Sequence, residues 1–275
     1  MASVGASVEV HEIESTVINR FRQSRPINTL TWWKDLKFLR HFFKFCVDQK
    51  WTSENPASRV SMPKNVKPGD TEPYTRDEVA RILAACDVIG RSAYERLRGR
   101  ALVLLLRYTA LRIGDVATLA KDRIRNGEIY LMTTKTGKVV KLPLIEELRR
   151  ALEVLPTPKN ANGKSKYFFW NGVGVDRTVI RSAEKTLRAV FDASGVKRAH
   201  CHRFRHTLAT ELLENGATLE DVSEILGNSP AVVRKHYAKW TVGRQARITT
   251  LMRSVFDTQK IHKDNVVATY FESVN

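Results

Sequence analysis

The sequence is short of acid. Among its 275 residues, 29 Asp and Glu stand against 46 Lys and Arg, a formal net charge of +17. An imbalance of that size favours a polyanionic partner. Cysteine is scarce as well. Cys46, Cys86 and Cys201 are an odd number, far apart, with no CxxC pair. That argues against a disulfide framework and a zinc site and suits a reducing compartment, so a cytoplasmic protein is expected. No apolar run approaches the roughly 20 residues of a membrane span. The longest, "ALVLLL" at 101–106, suits a buried helix segment. The opening "MASVGASVEV" lacks the basic start and apolar stretch of a secretory signal. There is no internal repeat. What is present is enough apolar residue, 43%, to build a real core.

The chain reads as two units. In the first, residues 1–64, "TLTWWKDLKFLRHFFKFCVDQKW" is amphipathic at helical period, with Trp33, Leu36, Leu39, Phe43 and Val47 on one face. Aromatics at that spacing read as core before they read as base-stacking platforms. A basic linker, residues 65–74, carries Lys67, Pro68, Gly69 and Pro73. The second unit, 75–242, opens with Thr75 and Glu78 in the spacing of a capping box, ahead of the apolar face Val79, Ile82, Leu83 and Cys86. "GEIYLMTTKTGKVVKLPL" predicts a hairpin with Gly137 in the turn. Helices follow over 144–155, 177–195, 203–216 and 218–228, with Gly195 and Gly216 as stops. Ser229 and Pro230 suit the cap and first position of one more helix. The tail, 243–275, places Ile248, Leu251, Met252 and Phe256 on one helical face. The fold class expected is mainly α with a small β-sheet.

The stretch "AHCHRFRHTLATELL", 199–213, sets three histidines and two arginines within seven positions, with no acid before Glu211. His202 and Arg205, three apart, share a face at a helix start, where free N–H groups and the helix dipole favour phosphate. Other candidates are scattered. Arg112 lies in "TALRIGDVATL" with Asp115 three residues on, Lys135 stands at the hairpin tip, and Tyr237 closes "VVRKHY". Taken singly, each has a plainer reading: a surface ion pair, a turn lysine, a half-buried helix residue. The sequence offers no acidic cluster for two-metal nuclease chemistry, so neither metal nor cofactor is expected.

Together, and in order, "ALRIGDVATL", "TTKTGKVVKLPL" and "HRFRHTLATELLENGATLEDVSEILGNSPAVVRKHY" resemble the motif boxes of the tyrosine recombinase (phage integrase) family over residues 75–240. "LRHFFKFCVDQKWTSENPASRV" resembles the end of that family's helical core-binding domain. The resemblance implies that Arg112 and Arg205 grip a DNA phosphate, that Lys135 protonates the leaving 5′ oxygen, and that His202 assists proton transfer. Tyr237 is then the nucleophile, with Asp115 and His206 in support. Asn228 departs from the family's usual His or Trp; an amide still donates to phosphate but carries no charge. The implied partners are double-stranded DNA and further copies of the chain, a tetramer on DNA, with the tail docking between subunits. Two alternatives remain from sequence: a non-catalytic helix-turn-helix DNA binder, or a type IB topoisomerase-like enzyme.

Overall fold

The computed structural model describes residues 8–64, 66, 71–90, 92–133, 137–158, 161, 165–237, 248–253 and 256. It divides into two compact units, Met1–Asp70 and Thr71–Asn275. Among the described residues no helix is long and apolar enough to cross a membrane.

The first unit holds α1 (Ser15–Gln23) and α2 (Thr29–Asp48). Asn28 starts α2 by accepting a hydrogen bond from Thr31 N at 2.8 Å. The buried face of α2 is Trp32, Leu36, Phe43 and Cys46, closing on Ile18, Ala57 and Val60. Arg40 lashes the following chain to α2, donating to Ala57 O at 3.1 Å and Val60 O at 2.7 Å. The expected core face is therefore rotated: Trp33, Leu39 and Val47 are only half-buried, and Trp32 and Cys46 point inward in their place. A second aromatic stripe, Phe38, Phe42 and Phe45, is exposed, Phe38 to 77%.

The second unit is built around α4 (Ala93–Thr109), whose run Ala101–Leu106 is wholly buried. α3 (Arg76–Ala85) precedes it, starting at the expected capping box: Glu78 N donates to Thr75 Oγ1, and Thr75 N to Glu78 Oε2. α5 (Ile113–Ala117) follows. β1 (Ile124–Arg125), β2 (Glu128–Met132) and β3 (Val139–Pro143) form an antiparallel sheet in chain order. Ile129 pairs with Leu142 and Leu131 with Val140, so these four apolar residues share one face. α6 (Glu146–Glu153), α7 (Asp176–Ser194) and α8 (Cys201–Glu214) pack on α4. Arg107 on α4 grips Glu211 on α8 through both carboxylate oxygens, at 2.8 and 3.0 Å. Gly195 ends α7 in the left-handed conformation, φ 62°, as expected. α9 (Leu219–Leu226) and α10 (Pro230–Tyr237) follow.

The hairpin packs on the end of α9. Gly227 has φ +59°, and a Cβ there would lie 3.1 Å from Val140 Cγ2 and 3.2 Å from Thr133 Cγ2. Glycine is thus favoured on two counts, the left-handed conformation and the tight approach of the hairpin. In the tail, the described residues 248–253 and 256 are helical, and Ile248, Leu251, Met252 and Phe256 are exposed.

Candidate active site

Arg203 and Arg205 stand two positions apart on α8, about 200° around the helix, and they serve different ends. Arg203 holds the fold. It donates to Glu78 Oε2 at 2.7 Å, Glu72 O at 2.9 Å and Lys197 O at 3.1 Å, while its guanidinium stacks on the Tyr74 ring. Arg205 faces the other way and is 4% exposed. Its Nη1 donates to Ala110 O at 2.8 Å and its Nη2 to Leu226 O. Ala110 is the left-handed cap of α4, φ 52°, and Leu226 is the last residue of α9. One guanidinium therefore receives the negative ends of two helices.

Arg112 lies two residues beyond Ala110, at the cap position of α5, and Asn228 two residues beyond Leu226. Arg112 Nη2 donates to Asn228 Oδ1 at 3.3 Å. Each arginine thus bonds to the chain segment beside the other's contact, and the two guanidiniums converge. Burial first, then the charge of Arg112, hold Arg205 down at about 10, against the upward pull of Tyr237 and Asp115. Asp115, in the first turn of α5, is 3% exposed. Arg112 Nη1 is buried and has no hydrogen-bond acceptor among the described residues. Two converging cations with a buried, unsatisfied donor suit an anion with several acceptor oxygens.

Tyr237 ends α10 inside an apolar cluster with Ala110, Ala209, Leu213, Val222, Leu226 and Val233. Its ring lies 5.3 Å from that of His206, which lies 5.1 Å from that of His202. Burial raises the Tyr237 phenol above its ordinary value, and Arg205 opposes that rise. His206 is driven down to about 4 by burial and then by His202, His236, His200 and Arg205, so it is a neutral imidazole near pH 7. His202, in the first turn of α8, is exposed.

Of the residues singled out from sequence, Arg112, Asp115, His202, Arg205, His206, Asn228 and Tyr237 fall in this one region. Lys135 lies outside the described residues. One neighbour escaped the sequence reading: Lys138 Nζ donates to Asn228 O at 2.6 Å. The second lysine of "TKTGK" was its only trace in the sequence. Among the described residues, no group of three or more His, Cys, Asp or Glu is placed to hold a metal ion.

The model of the Phage integrase family matches residues 73–242. Tyrosine recombinase XerD of Caulobacter vibrioides is 25% identical over 240 residues, covering 83% of this chain and 78% of the relative. Tyrosine recombinase XerC of Bacillus pumilus is 31% identical over 204 residues, 71% of this chain and 66% of the relative. Among solved structures, a lambda integrase (75–356) dimer bound to a COC′ core site superposes with a TM-score of 0.60 at 16% identity, covering 86% of this chain and 83% of that one. At that identity the likeness is one of fold.

Proposed function

The chain belongs to the phage integrase family and is a DNA strand-breaking and rejoining enzyme, and we propose that Tyr237 is the nucleophile of its site-specific recombination. The observation that carries the residue assignment is the convergence of Arg112 and Arg205 on the segments 110–112 and 226–228, with Arg112 Nη1 unsatisfied among the described residues and the Tyr237 ring nearby. A phosphodiester is anionic and repels nucleophiles. The two guanidiniums take its non-bridging oxygens and neutralise the charge that grows in the transition state. Asn228 spends Oδ1 on Arg112, which leaves its amide N–H groups to donate to the same phosphate.

The neutral Tyr237 phenol must lose its proton to attack, and His202, one ring away across His206, assists that transfer. As Tyr237 Oη bonds to phosphorus, the bond from phosphorus to the 5′ oxygen breaks. Lys135 supplies the proton that the leaving oxygen needs. The 3′-phosphotyrosyl ester keeps the bond energy. A 5′-hydroxyl from another strand then attacks the ester, frees the phenol and rejoins the DNA. Asp115 biases Arg205 electrostatically from the first turn of α5. The substrate is double-stranded DNA met in the cytoplasm, with a tetramer as the working assembly. The exposed tail residues Ile248, Leu251, Met252 and Phe256 offer an apolar face for a neighbouring subunit.

The test uses a pool of nicked duplexes with randomised cores, in which cleavage releases a short fragment and traps the covalent product. Denaturing gels should show a protein–DNA adduct with the wild-type chain and none with Tyr237→Phe, whose DNA binding persists. An adduct that survives Tyr237→Phe removes Tyr237 from the role.

A further inference from the structure

In the sequence Lys135 falls between two described residues, Thr133, one residue after β2, and Lys138, one residue before β3. They are paired, with Thr133 N donating to Lys138 O at 2.8 Å and Gly137 N to Thr133 O at 2.8 Å. Both stems rest on the same short segment after α9. Thr133 Cγ2 would lie 3.2 Å from a Cβ at Gly227, and Lys138 Nζ donates to the carbonyl of Asn228, 90 positions away. Asn228 in turn holds Arg112 through its side chain. The hairpin and the phosphate grip therefore share one anchor, residues 227–228.

Lys138 is exposed. A single hydrogen bond from an exposed ammonium contributes little stability, because water offers the same group an equivalent acceptor. Its effect lies in the geometry it imposes. We propose that Lys138 is a positioning residue: by holding its end of the hairpin to Asn228 it fixes the described residues between which Lys135 lies in the sequence, and so limits how Lys135 reaches the leaving 5′ oxygen. The inference rests on the recombinase reading above. Lys138 itself transfers no proton. It sets how closely the acid approaches the breaking bond, and a misplacement of about 1 Å costs on the order of 10²-fold in rate.

The experiment exploits the leaving group. A thiolate leaves without the protonation that an alkoxide needs, so a duplex with sulfur at the bridging 5′ position bypasses the general acid while using the same nucleophile and the same phosphate grip. A duplex recovered from the covalent pool is made in oxygen and sulfur forms, and single-turnover cleavage is followed at saturating protein. Lys138→Met should slow the oxygen substrate by about 10- to 100-fold with unchanged DNA affinity, and return to near the wild-type rate on the sulfur substrate. Lys138→Arg, which keeps a cationic donor, should retain most of the oxygen rate. Lys135→Ala should show the same rescue by sulfur. An equal loss on both substrates would make Lys138 a phosphate contact or a fold support, and an unchanged oxygen rate would deny it any part; either overturns the proposal. Failure of the wild-type chain to form adduct with any member of the pool defeats the recombinase reading itself and is distinct from both.

Discussion

Replacing Arg205 by Ala should separate two jobs that one side chain performs. The guanidinium donates to Ala110 O and Leu226 O, so its removal strands two main-chain acceptors at the ends of α4 and α9. Each buried acceptor left without a donor costs about 1–3 kcal/mol, or about 2–6 kcal/mol for the pair. In a unit of this size each kcal/mol lowers Tm by about 2–4 °C, so a fall on the order of 5–20 °C is expected. Part of that is offset, because the variant no longer buries a charge that desolvation and Arg112 already disfavour. Chemistry should suffer separately. Loss of a preorganised donor to the transition state slows reaction by about 10²- to 10³-fold. Calorimetry gives the first number. Single-turnover cleavage by the saturated complex, at a temperature well below the variant's melting, gives the second. If Tm falls but the bound complex cuts at the wild-type rate, Arg205 is a clamp between helix ends and not a phosphate ligand. If Tm stays where it was, the account of the two carbonyls is wrong.

Arg203→Ala should be a stability mutant. Its ion pair with Glu78 is 10% and 17% exposed, and breaking such a buried pair costs about 3–5 kcal/mol; thermal melts check it, and a change below about 1 kcal/mol would show the pair to be solvated. The folded chain holds His206 near 4 while an unfolded imidazole titrates near 6.5. Between those values the unfolded chain binds the extra proton, so stability falls as pH drops through that window and levels off below it. His206→Phe should flatten that part of the profile in melts at stepped pH, and an unchanged slope would assign it to other groups. Leu251→Asp combined with Phe256→Asp should leave circular dichroism and single-site DNA binding intact but abolish assembly on a two-site duplex, since both residues are exposed. Normal assembly in gel shifts would exclude the tail as the contact.

The helix boundaries were legible because capping is local chemistry. Thr75 with Glu78, and Gly195, do in the structure what their spacing announces. The division of labour on α8 was half legible: helical periodicity separates Arg203 from Arg205, but the partner that claims Arg203 is 125 positions distant. The same distance problem hid Lys138, whose acceptor carbonyl belongs to a loop brought in only by the docking of β3 on α9. On α2, periodicity found an amphipathic helix yet misplaced its face by about one position. With Trp, Phe and Leu on several sides, the pattern alone does not say which stripe meets Ile18 and Ala57. Asn228 was visible as a departure, but its use of Oδ1 as an acceptor for Arg112 follows only from three-dimensional placement.

The attachment of α10 has a consequence for how Tyr237 is held. Arg112 and Arg205 are cross-tied by directional bonds to Ala110, Leu226 and Asn228, whereas the eight-residue helix that ends in Tyr237 sits against α9 through Val233 and the tyrosine ring itself, in apolar contact. Apolar contact has no preferred direction and tolerates sliding; a hydrogen-bonded cradle does not. The two guanidiniums and the Tyr237 ring are thus held by different kinds of contact. A displacement of the short helix would therefore carry Tyr237 relative to Arg112 and Arg205 without breaking a hydrogen bond of either.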